Sequence, residues 1–365
     1  MKHILLTTFM ASVFLTACAA TNKMVKTKIT PAVQLEQKLV KLQKKGYMIG
    51  HQDDPMYGTS WKYEYNRSDT KEVCGDYPAL MGFDLGKIEL GSDENLDGVP
   101  FDRMREEIQN QYNRGGVITL SWHPYNPVTG ENAWDPSGDA VTAILPGGAQ
   151  HAKFEGWLNT VAQFILSLKT KDGQQIPIIF RPWHEMSGGW FWWGIKSCTT
   201  EQYKQLYRMT IEYMRSKGIT SALYGFSPNF EANDTEQHYL KYYPGDEYVD
   251  LMGIDIYQFD PTGEEYMKNL DNELKIVTKL GKEHHKIICL AETGYQNVPD
   301  STWFTTKLMP VADKYPISYL LLWRNAWDKP KENFGPAPGK SCVADFLKFY
   351  KAKKTLFIKD IKDIK

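Results

Sequence analysis

Cysteine is scarce in this chain, and neither a long apolar run nor an excess of one charge is present. The five cysteines among 365 residues are spaced too widely for a zinc motif. The formal net charge of −1 indicates no polyanionic partner, so nucleic-acid binding is not expected. No Gly-x-Gly-x-x-Gly follows the first apolar run, which argues against a dinucleotide-binding fold. Nothing in the sequence suggests a cofactor, a bound metal or an obligate protein partner, and a monomer is expected.

Aromatic residues, in contrast, are abundant, with 11 Trp, 21 Tyr and 16 Phe. Aromatic rings have large apolar faces that stack on the apolar faces of sugars, so this composition fits a carbohydrate-binding cleft. A large aromatic core would explain the same composition, and composition alone does not separate the two interpretations.

The amino terminus is typical of an exported lipoprotein. A basic start, a short apolar stretch from Ile4 to Leu15 and the sequence Leu-Thr-Ala-Cys predict a signal peptide over residues 1–18 with Cys18 as the lipidation site. The apolar stretch is shorter than the roughly 20 residues of a membrane-spanning helix. A plain signal peptide cut nearby is the alternative. Residues 19–30 are predicted to form a polar tether.

The residues after Cys18 indicate the side of the membrane. Surface lipoproteins of the Bacteroidetes type resemble one another in carrying acidic residues directly after the cysteine. Residues 19–23 of this chain contain none. The expected location is therefore a lipid anchor on the periplasmic face of the outer membrane rather than on the cell surface. Among the remaining cysteines, an oxidising compartment permits a disulfide between two of Cys74, Cys198 and Cys342, whereas Cys289 lies in an apolar run and is predicted to be a core thiol.

Eight short apolar runs end in polar or aromatic residues, and stretches with helical spacing separate most of them. This alternation predicts a single (β/α)8 TIM barrel over residues 31–360, with an open doubly wound sheet as the rival. Thr199 with Gln202 three residues on predicts a capped helix start. The long segment from Pro124 to Gln150 follows the third run and is expected to wall a substrate cleft. The eight runs are Gly46–His51, Ala79–Asp84, Val117–His123, Ile176–Glu185, Ala222–Asn229, Val249–Tyr257, Ile287–Glu292 and Ile317–Arg324.

Two carboxylic acids, Glu185 and Glu292, end the fourth and seventh runs. Side chains at the carboxyl ends of barrel strands converge at one rim, so this pair is placed to flank a scissile bond. Glycoside hydrolysis requires such a pair: one carboxyl donates a proton to the leaving oxygen, and the other attacks the anomeric carbon or activates water. The tryptophans around Glu185 predict a raised pKa for that carboxyl. Arg181, Arg324 and Tyr257 are candidate partners for Glu292.

Several motifs in order along the chain resemble glycoside hydrolase family 26, the β-mannanases. They are Gly50-His51-Gln52, Ser121-Trp122-His123-Pro124, Arg181-Pro182-Trp183-His184-Glu185, Gly188-Gly189-Trp190, Asp255-Ile256-Tyr257, Ala291-Glu292-Thr293-Gly294 and Trp323-Arg324. The resemblance implies a (β/α)8 fold, retention of configuration, Glu185 as the acid/base and Glu292 as the nucleophile. It also implies cleavage of β-1,4-mannosidic bonds in mannan, galactomannan, glucomannan or manno-oligosaccharides. Mannobiose is an expected product because a periplasmic enzyme would receive oligosaccharides rather than polymer. The substrate-binding residues that we expect on this basis are His123, Arg181, His184, Trp190, Asp255, Tyr257, Trp323 and Arg324.

Other interpretations stay open. A related glycosidase acting on xylan or mixed-linkage glucan would carry the same motifs, and a sugar-binding lipoprotein that has lost its activity is a rival from another class. His51, His123 and His184 are candidate metal ligands, although no His-x-His or His-Glu-x-x-His motif supports a metal. Trp192 and Trp193 are either part of a sugar platform or core. Asp53, Asp54 and the segment from Ser92 to Asp97 are predicted to be solvated loop.

Overall fold

Eight parallel strands close into a barrel. In this computed structural model, which describes residues 29–364, each strand pairs with the next, and β8 pairs with β1 through Met48 and Tyr319. This closure confirms the predicted (β/α)8 fold and excludes the open doubly wound sheet. The strands are β1 (Tyr47–Gln52), β2 (Leu80–Asp84), β3 (Val117–Trp122), β4 (Ile178–Pro182), β5 (Ala222–Phe226), β6 (Leu251–Gln258), β7 (Ile287–Tyr295) and β8 (Tyr319–Leu322).

Helices surround the barrel, and the helix that starts at Thr200 begins at the start signal expected from the sequence. Thr199 and Gln202 form the predicted capping box: the Thr199 hydroxyl accepts from the Gln202 amide, and the Gln202 side chain accepts from the Thr199 amide. The helices are α1 (Pro31–Gln43), α2 (Asp69–Cys74), α3 (Phe101–Asn113), α4 (Ala140–Ile144), α5 (His151–Ser167), α6 (Thr200–Ser216), α7 (Glu236–Lys241), α8 (Glu264–Glu283), α9 (Met309–Ala312), α10 (Val343–Tyr350) and α11 (Ile358–Ile361). Short strands at Tyr57–Gly58 and Trp61–Lys62 pair with each other, and Thr355–Leu356 pairs with the start of β1.

The apolar core has two layers because barrel strands are covered on both faces. One layer fills the barrel and is closed at the amino-terminal end by α1, whose Leu35, Leu39 and Leu42 pack with interior residues such as Leu80 and Leu223. The other lies between the strands and the outer helices. With the amino-terminal end closed, the polar residues at the carboxyl ends of the strands meet at the open rim.

The long segment after β3 folds over this rim around one buried side chain. Asn126 is fully buried; its amide nitrogen donates to the carbonyls of Asp135 and Ser137 at 3.0 and 2.9 Å, and its oxygen accepts from the amide of Val128 at 2.9 Å. Farther along the same segment, the Ala133 carbonyl accepts from the amide of Trp192 at 3.2 Å. The turn is therefore pinned both internally and to the loop that follows β4.

The predicted signal peptide with Cys18, and the tether up to residue 28, lie outside the described residues. Within residues 29–364, no helix is both long and apolar enough to cross a membrane. Cys74, Cys198, Cys289 and Cys342 are all free thiols in this part of the chain, and Cys289 is buried.

Candidate active site

Glu185 is held at the rim by an unusual backbone. β4 ends at Pro182, after which Trp183 and Glu185 adopt positive φ angles of 57° and 54°. Side chains other than glycine are uncommon in this left-handed region and persist there only where surrounding contacts hold them. The Glu185 amide donates to the carbonyl of Ser227, just past β5, at 2.8 Å. The chain thereby turns sharply off the strand and projects the carboxyl at the barrel mouth.

Glu185 and Glu292 meet at this mouth. An oxygen of each lies within 4.8 Å of the other, with an oxygen of Asp255 in the same group. Both glutamates line a cavity of about 240 Å³. A larger cavity of about 900 Å³ lies at the opposite end, beside α1, but Asp363 is the single carboxylate among its lining residues. The paired carboxyls therefore belong to the smaller cavity at the rim.

The surroundings of Glu185 favour its protonated form. Burial and the nearby charge of Glu292 raise the pKa of Glu185 to about 7, and His123 and Arg181 offset part of this effect. Trp190 donates from its indole Nε1 to the Glu185 carboxylate at 3.0 Å, which orients the group. A carboxyl with this pKa donates a proton readily near neutral pH.

Glu292 has two hydrogen-bond donors, as expected for a nucleophile that must keep one orientation. The Arg181 guanidinium donates to one carboxylate oxygen, and the Tyr257 hydroxyl donates to the other at 2.7 Å. Arg181 is itself fixed by Asp255 at 2.8 Å and Ser227 at 2.9 Å. These contacts match two of the three partners that we expected for Glu292.

The third expected partner, Arg324, is elsewhere. Its guanidinium pairs with Asp97 and Glu332, each at 2.6 Å. It also donates to the Tyr57 hydroxyl at 3.4 Å. The prediction that Arg324 contacts Glu292 was wrong, because the loop after β8 turns this side chain toward the segments after β1 and β2.

Three acidic residues in the segments after β1 and β2 are buried rather than solvated. Asp53 and Asp54 are buried, and Asp97 has only 6% of its side chain exposed, so the predicted solvated loop is wrong at these positions. Asp53 accepts from Tyr57 at 2.7 Å, and Asp54 accepts from Ser68. Burial raises the pKa of Asp97, and the charge of Arg324 opposes that shift. These carboxylates became buried because Arg324 and hydroxyl groups supply partners, which local sequence did not reveal.

Two histidines lie against each other beside the carboxyl pair. His123 Nε2 and His184 Nε2 are 3.0 Å apart, and His123 Nδ1 is 2.7 Å from the Asp84 carboxylate. His51 contacts Thr70 and Asp54 instead, so the three candidate metal ligands do not converge on one point. The Glu185, Asp255 and Glu292 oxygens are close enough to hold a cation, but Arg181 already brings a positive charge to two of them.

The predicted substrate-site residues differ in whether they line the cavity with the glutamates, line the adjoining cavity or are buried behind the carboxyls. His123, His184, Tyr257 and Trp323 line the 240 Å³ cavity with the two glutamates. Arg324 lines an adjoining cavity of about 340 Å³ that shares His123 and Trp323. Arg181 and Asp255 are buried: the Arg181 guanidinium donates both to Glu292 and to Asp255. Trp190 is 38% exposed beside Glu185.

Trp192 and Trp193 are both fully buried, which assigns them to the core rather than to a sugar platform. Their indole nitrogens donate to the carbonyls of Pro124 and His184 at 2.9 and 2.8 Å, so they support the loop beneath Trp190.

The sequence did not single out Trp134, which lines both rim cavities. It stacks on His123 with ring centroids 5.2 Å apart and planes 10° from parallel, and it is 49% exposed. Phe259, 85% exposed, also lines the cavity that holds the glutamates. Both lie in loops. The one available signal for Trp134 was an aromatic residue in the Pro124 to Gln150 segment, which was already expected to wall the cleft; Phe259 directly follows β6 and had no such signal.

A (β/α)8 barrel with two close carboxyls at its carboxyl-terminal rim, one with a raised pKa and the other bound by a guanidinium, is typical of a glycoside hydrolase. The profile of Glycosyl hydrolase family 26 matches residues 28–333. The chain belongs to this family, as the motifs around Glu185 and Glu292 suggested.

Similar proteins agree in sequence and in fold. The structure of a family 26 β-mannanase from Bacteroides ovatus has 48% identity and a TM-score of 0.88, with 90% of this chain and 95% of that chain covered. An endo-β-1,4-mannanase from Cellulomonas fimi has 32% identity and a TM-score of 0.82, with coverage of 91% and 78%. A mannan endo-1,4-β-mannosidase from Bifidobacterium adolescentis is 31% identical over 80% of this chain, which spans only 31% of that longer protein.

Proposed function

We propose that this chain is a retaining β-mannanase that hydrolyses β-1,4-mannosidic linkages, with Glu185 as the acid/base and Glu292 as the nucleophile. The observation that carries the proposal is the separation of their carboxyl oxygens, which lie within 4.8 Å. Retaining glycosidases hold their carboxyls about 5–5.5 Å apart, whereas inverting ones leave about 6.5–9.5 Å for a water molecule. Mannan as the substrate is supported by the mannanase names of the three similar proteins.

The chemistry follows from the two environments. Glu185, with its raised pKa, donates a proton to the glycosidic oxygen while Glu292, held by Arg181 and Tyr257, attacks the anomeric carbon. A mannosyl–Glu292 ester forms and the shortened chain leaves. Glu185, now deprotonated, takes a proton from water, which attacks the ester and releases the sugar with its original β configuration.

The first test is substrate and stereochemistry together. We expect new reducing ends from mannan, glucomannan and galactomannan, and far fewer from xylan or mixed-linkage glucan. Proton NMR of the first-formed product should show the β-anomer before mutarotation. An α-anomer would contradict the nucleophilic role of Glu292. If xylan or mixed-linkage glucan gave as many new reducing ends as mannan, the enzyme would not be specific for mannan. Binding to mannan without any new reducing ends would favour a sugar-binding protein.

The attack mode is a finer proposal. We propose manno-oligosaccharides as the natural substrates, with mannobiose as a main product. The Trp134 segment and Arg324 with its partners bound the adjoining cavity, and this supports a glycone region of limited length. The product profile from mannohexaose distinguishes release of mannobiose from random endo attack. Mannobiose and mannotetraose as the sole early products would support the proposal, whereas a mixture of products of many lengths would indicate random endo attack.

The cellular location also remains a proposal, because residues 1–28 lie outside the described structure. We propose a monomer anchored through a lipid on Cys18 to the periplasmic face of the outer membrane, as the Leu-Thr-Ala-Cys sequence and the lack of acidic residues after it suggest. Protease added to intact cells should leave the enzyme uncut, and Cys18→Ser should release it from the membrane fraction. Cleavage in intact cells would place the enzyme on the surface.

A further inference from the structure

Asp84, His123 and His184 form a hydrogen-bonded chain that leads from β2 to the cavity. Asp84 is the last residue of β2, His123 follows β3, and His184 precedes the acid Glu185. All three are at least 94% buried, with exposures of 1%, 6% and 1%. The links are 2.7 Å from Asp84 Oδ2 to His123 Nδ1 and 3.0 Å from His123 Nε2 to His184 Nε2. One ring atom at the far end, His184 Nδ1, is buried without a protein partner.

This chain permits two proton arrangements with opposite consequences for His184. In the first, His123 is an imidazolium that donates from Nδ1 to Asp84 and from Nε2 to His184, so the single proton of His184 is on Nδ1. In the second, which has one proton fewer, His123 is neutral and its Nε2 accepts from His184, so His184 Nδ1 is a bare acceptor. The unpartnered atom is therefore a donor in one arrangement and an acceptor in the other.

We propose that Asp84 is a positioning residue that keeps His123 protonated and thereby fixes His184 as the neutral tautomer that carries its proton on Nδ1 and accepts from His123 through Nε2. This inference rests on the proposed glycosidase function of the cavity, which both histidines line. It assigns to Asp84 a role that neither its position in a core strand nor any sequence motif indicated.

The orientation of Asp84 supports the assignment. One of its oxygens also accepts from the Ser121 hydroxyl at 2.7 Å, and the other accepts from the amide of Gly86 at 2.7 Å. Burial alone would raise the pKa of Asp84, but His123 and these donors outweigh burial and hold it below its usual range. A fixed, ionised carboxylate thus faces the imidazole of His123.

The charges around the two rings shift the pKa values of His123 and His184 in opposite directions. Burial would lower the pKa of His123, but Asp84, Glu292 and Glu185 together raise it. Asp97 is a further acid in the electrostatic field of His123. Burial, Arg181 and His123 all lower the pKa of His184. The extra proton therefore belongs on His123, and His184 is neutral.

Both rings line the cavity beside Glu185 and Glu292. The proton on His123 therefore sets the charge and the direction of the His123–His184 hydrogen bond on this side of the cavity.

Asp84→Asn tests the proposal because it keeps the size of the side chain and removes its charge. The matched control is Asp345→Asn: Asp345 is equally buried and accepts from the amide of Thr305 at 3.0 Å, but it lies in α10, outside the barrel. We expect kcat/KM of Asp84→Asn to fall about 10- to 100-fold, by analogy with the range typical of removing a carboxylate that orients a metal-bound histidine. Asp345→Asn should stay within about twofold of the parent.

The pH dependence separates a charge effect from mere damage. An aryl β-mannobioside with an activated leaving group removes the need for the Glu185 proton, so its kcat/KM reports the rest of the site. For the parent we expect a flat profile between about pH 6 and 8; for Asp84→Asn we expect a fall as His123 loses its proton near the ordinary histidine pKa of about 6.5. Profiles of the same shape in both proteins would overturn the proposal.

Nitrogen-15 NMR of the histidine rings gives a readout that does not depend on activity. In the parent at pH 7, His123 should be protonated on both nitrogens and His184 on Nδ1 alone; His184 protonated on Nε2 would overturn the proposal even if Asp84→Asn fails to fold. If the parent shows these proton positions but hydrolyses no mannan or aryl mannoside, the proposed function fails while the proton arrangement stands.

Discussion

Replacing Glu292 with alanine is expected to lower kcat on mannan by at least about 10⁴-fold, the order seen when a covalent nucleophile is removed from a preorganised site. Without its carboxylate no mannosyl ester forms, and the loss should be as large for aryl mannosides as for mannan. Arg181 keeps Asp255 as its partner, so the fold should persist. Initial rates, oligosaccharide binding and thermal unfolding of the variant provide the measurement.

Azide distinguishes the loss of a nucleophile from general damage. In Glu292→Ala, azide should attack directly from the vacated side and give an α-mannosyl azide, because one displacement inverts the configuration. Glu36→Ala, an exposed position in α1 at the other end of the barrel, is the control and should match the parent. Parent-level activity of Glu292→Ala would remove Glu292 from the mechanism.

Replacing Glu185 with alanine is expected to lower kcat/KM on mannan by about 10²–10⁴-fold, the usual contribution of general acid catalysis. An aryl mannoside with an activated leaving group should be spared in the first step, since it departs without a proton. Azide should then restore turnover and give a β-mannosyl azide, because two displacements retain the configuration. Equal losses on both kinds of substrate would contradict the acid role.

The same carboxyl sets an expected alkaline limit. Because Glu185 must be protonated to donate and its pKa is about 7, kcat/KM of the parent on mannan should fall about tenfold per pH unit above that value. The residual activity of Glu185→Ala should not show this fall in kcat/KM at alkaline pH. A parent profile that stays flat to pH 9 would show that another group supplies the proton.

The barrel strands, the two glutamates and two of the partners of Glu292 were predictable because they depend on local sequence patterns. A strand buried on both faces needs a continuous apolar run, so β4 was evident before Glu185 and β7 around Glu292. Parallel barrel strands all end at one rim, so residues at run ends were expected to meet. The contacts of Arg181 and Tyr257 with Glu292 followed from the same rule.

Loop contacts were not predictable in this way, because no periodicity relates one loop to another. Arg324 pairs with Asp97 and Glu332 rather than with Glu292. Trp192 and Trp193 could be assigned to the core only once the Pro124 carbonyl and the His184 carbonyl were seen to accept from them. Trp134 reached His123 through a turn organised by Asn126.

The sequence by itself determined the barrel, the two glutamates and the family, since each depends on residues adjacent in the chain or on strand ends that must coincide. The tertiary structure alone decided which loop charges pair and which polar groups are linked by hydrogen bonds across the rim. Asp84 ends one strand, and His123 and His184 lie just past the ends of two others; the successive separations along the chain are 39 and 61 positions. Hydrogen bonds between them require distances near 3 Å, which only the closed barrel sets.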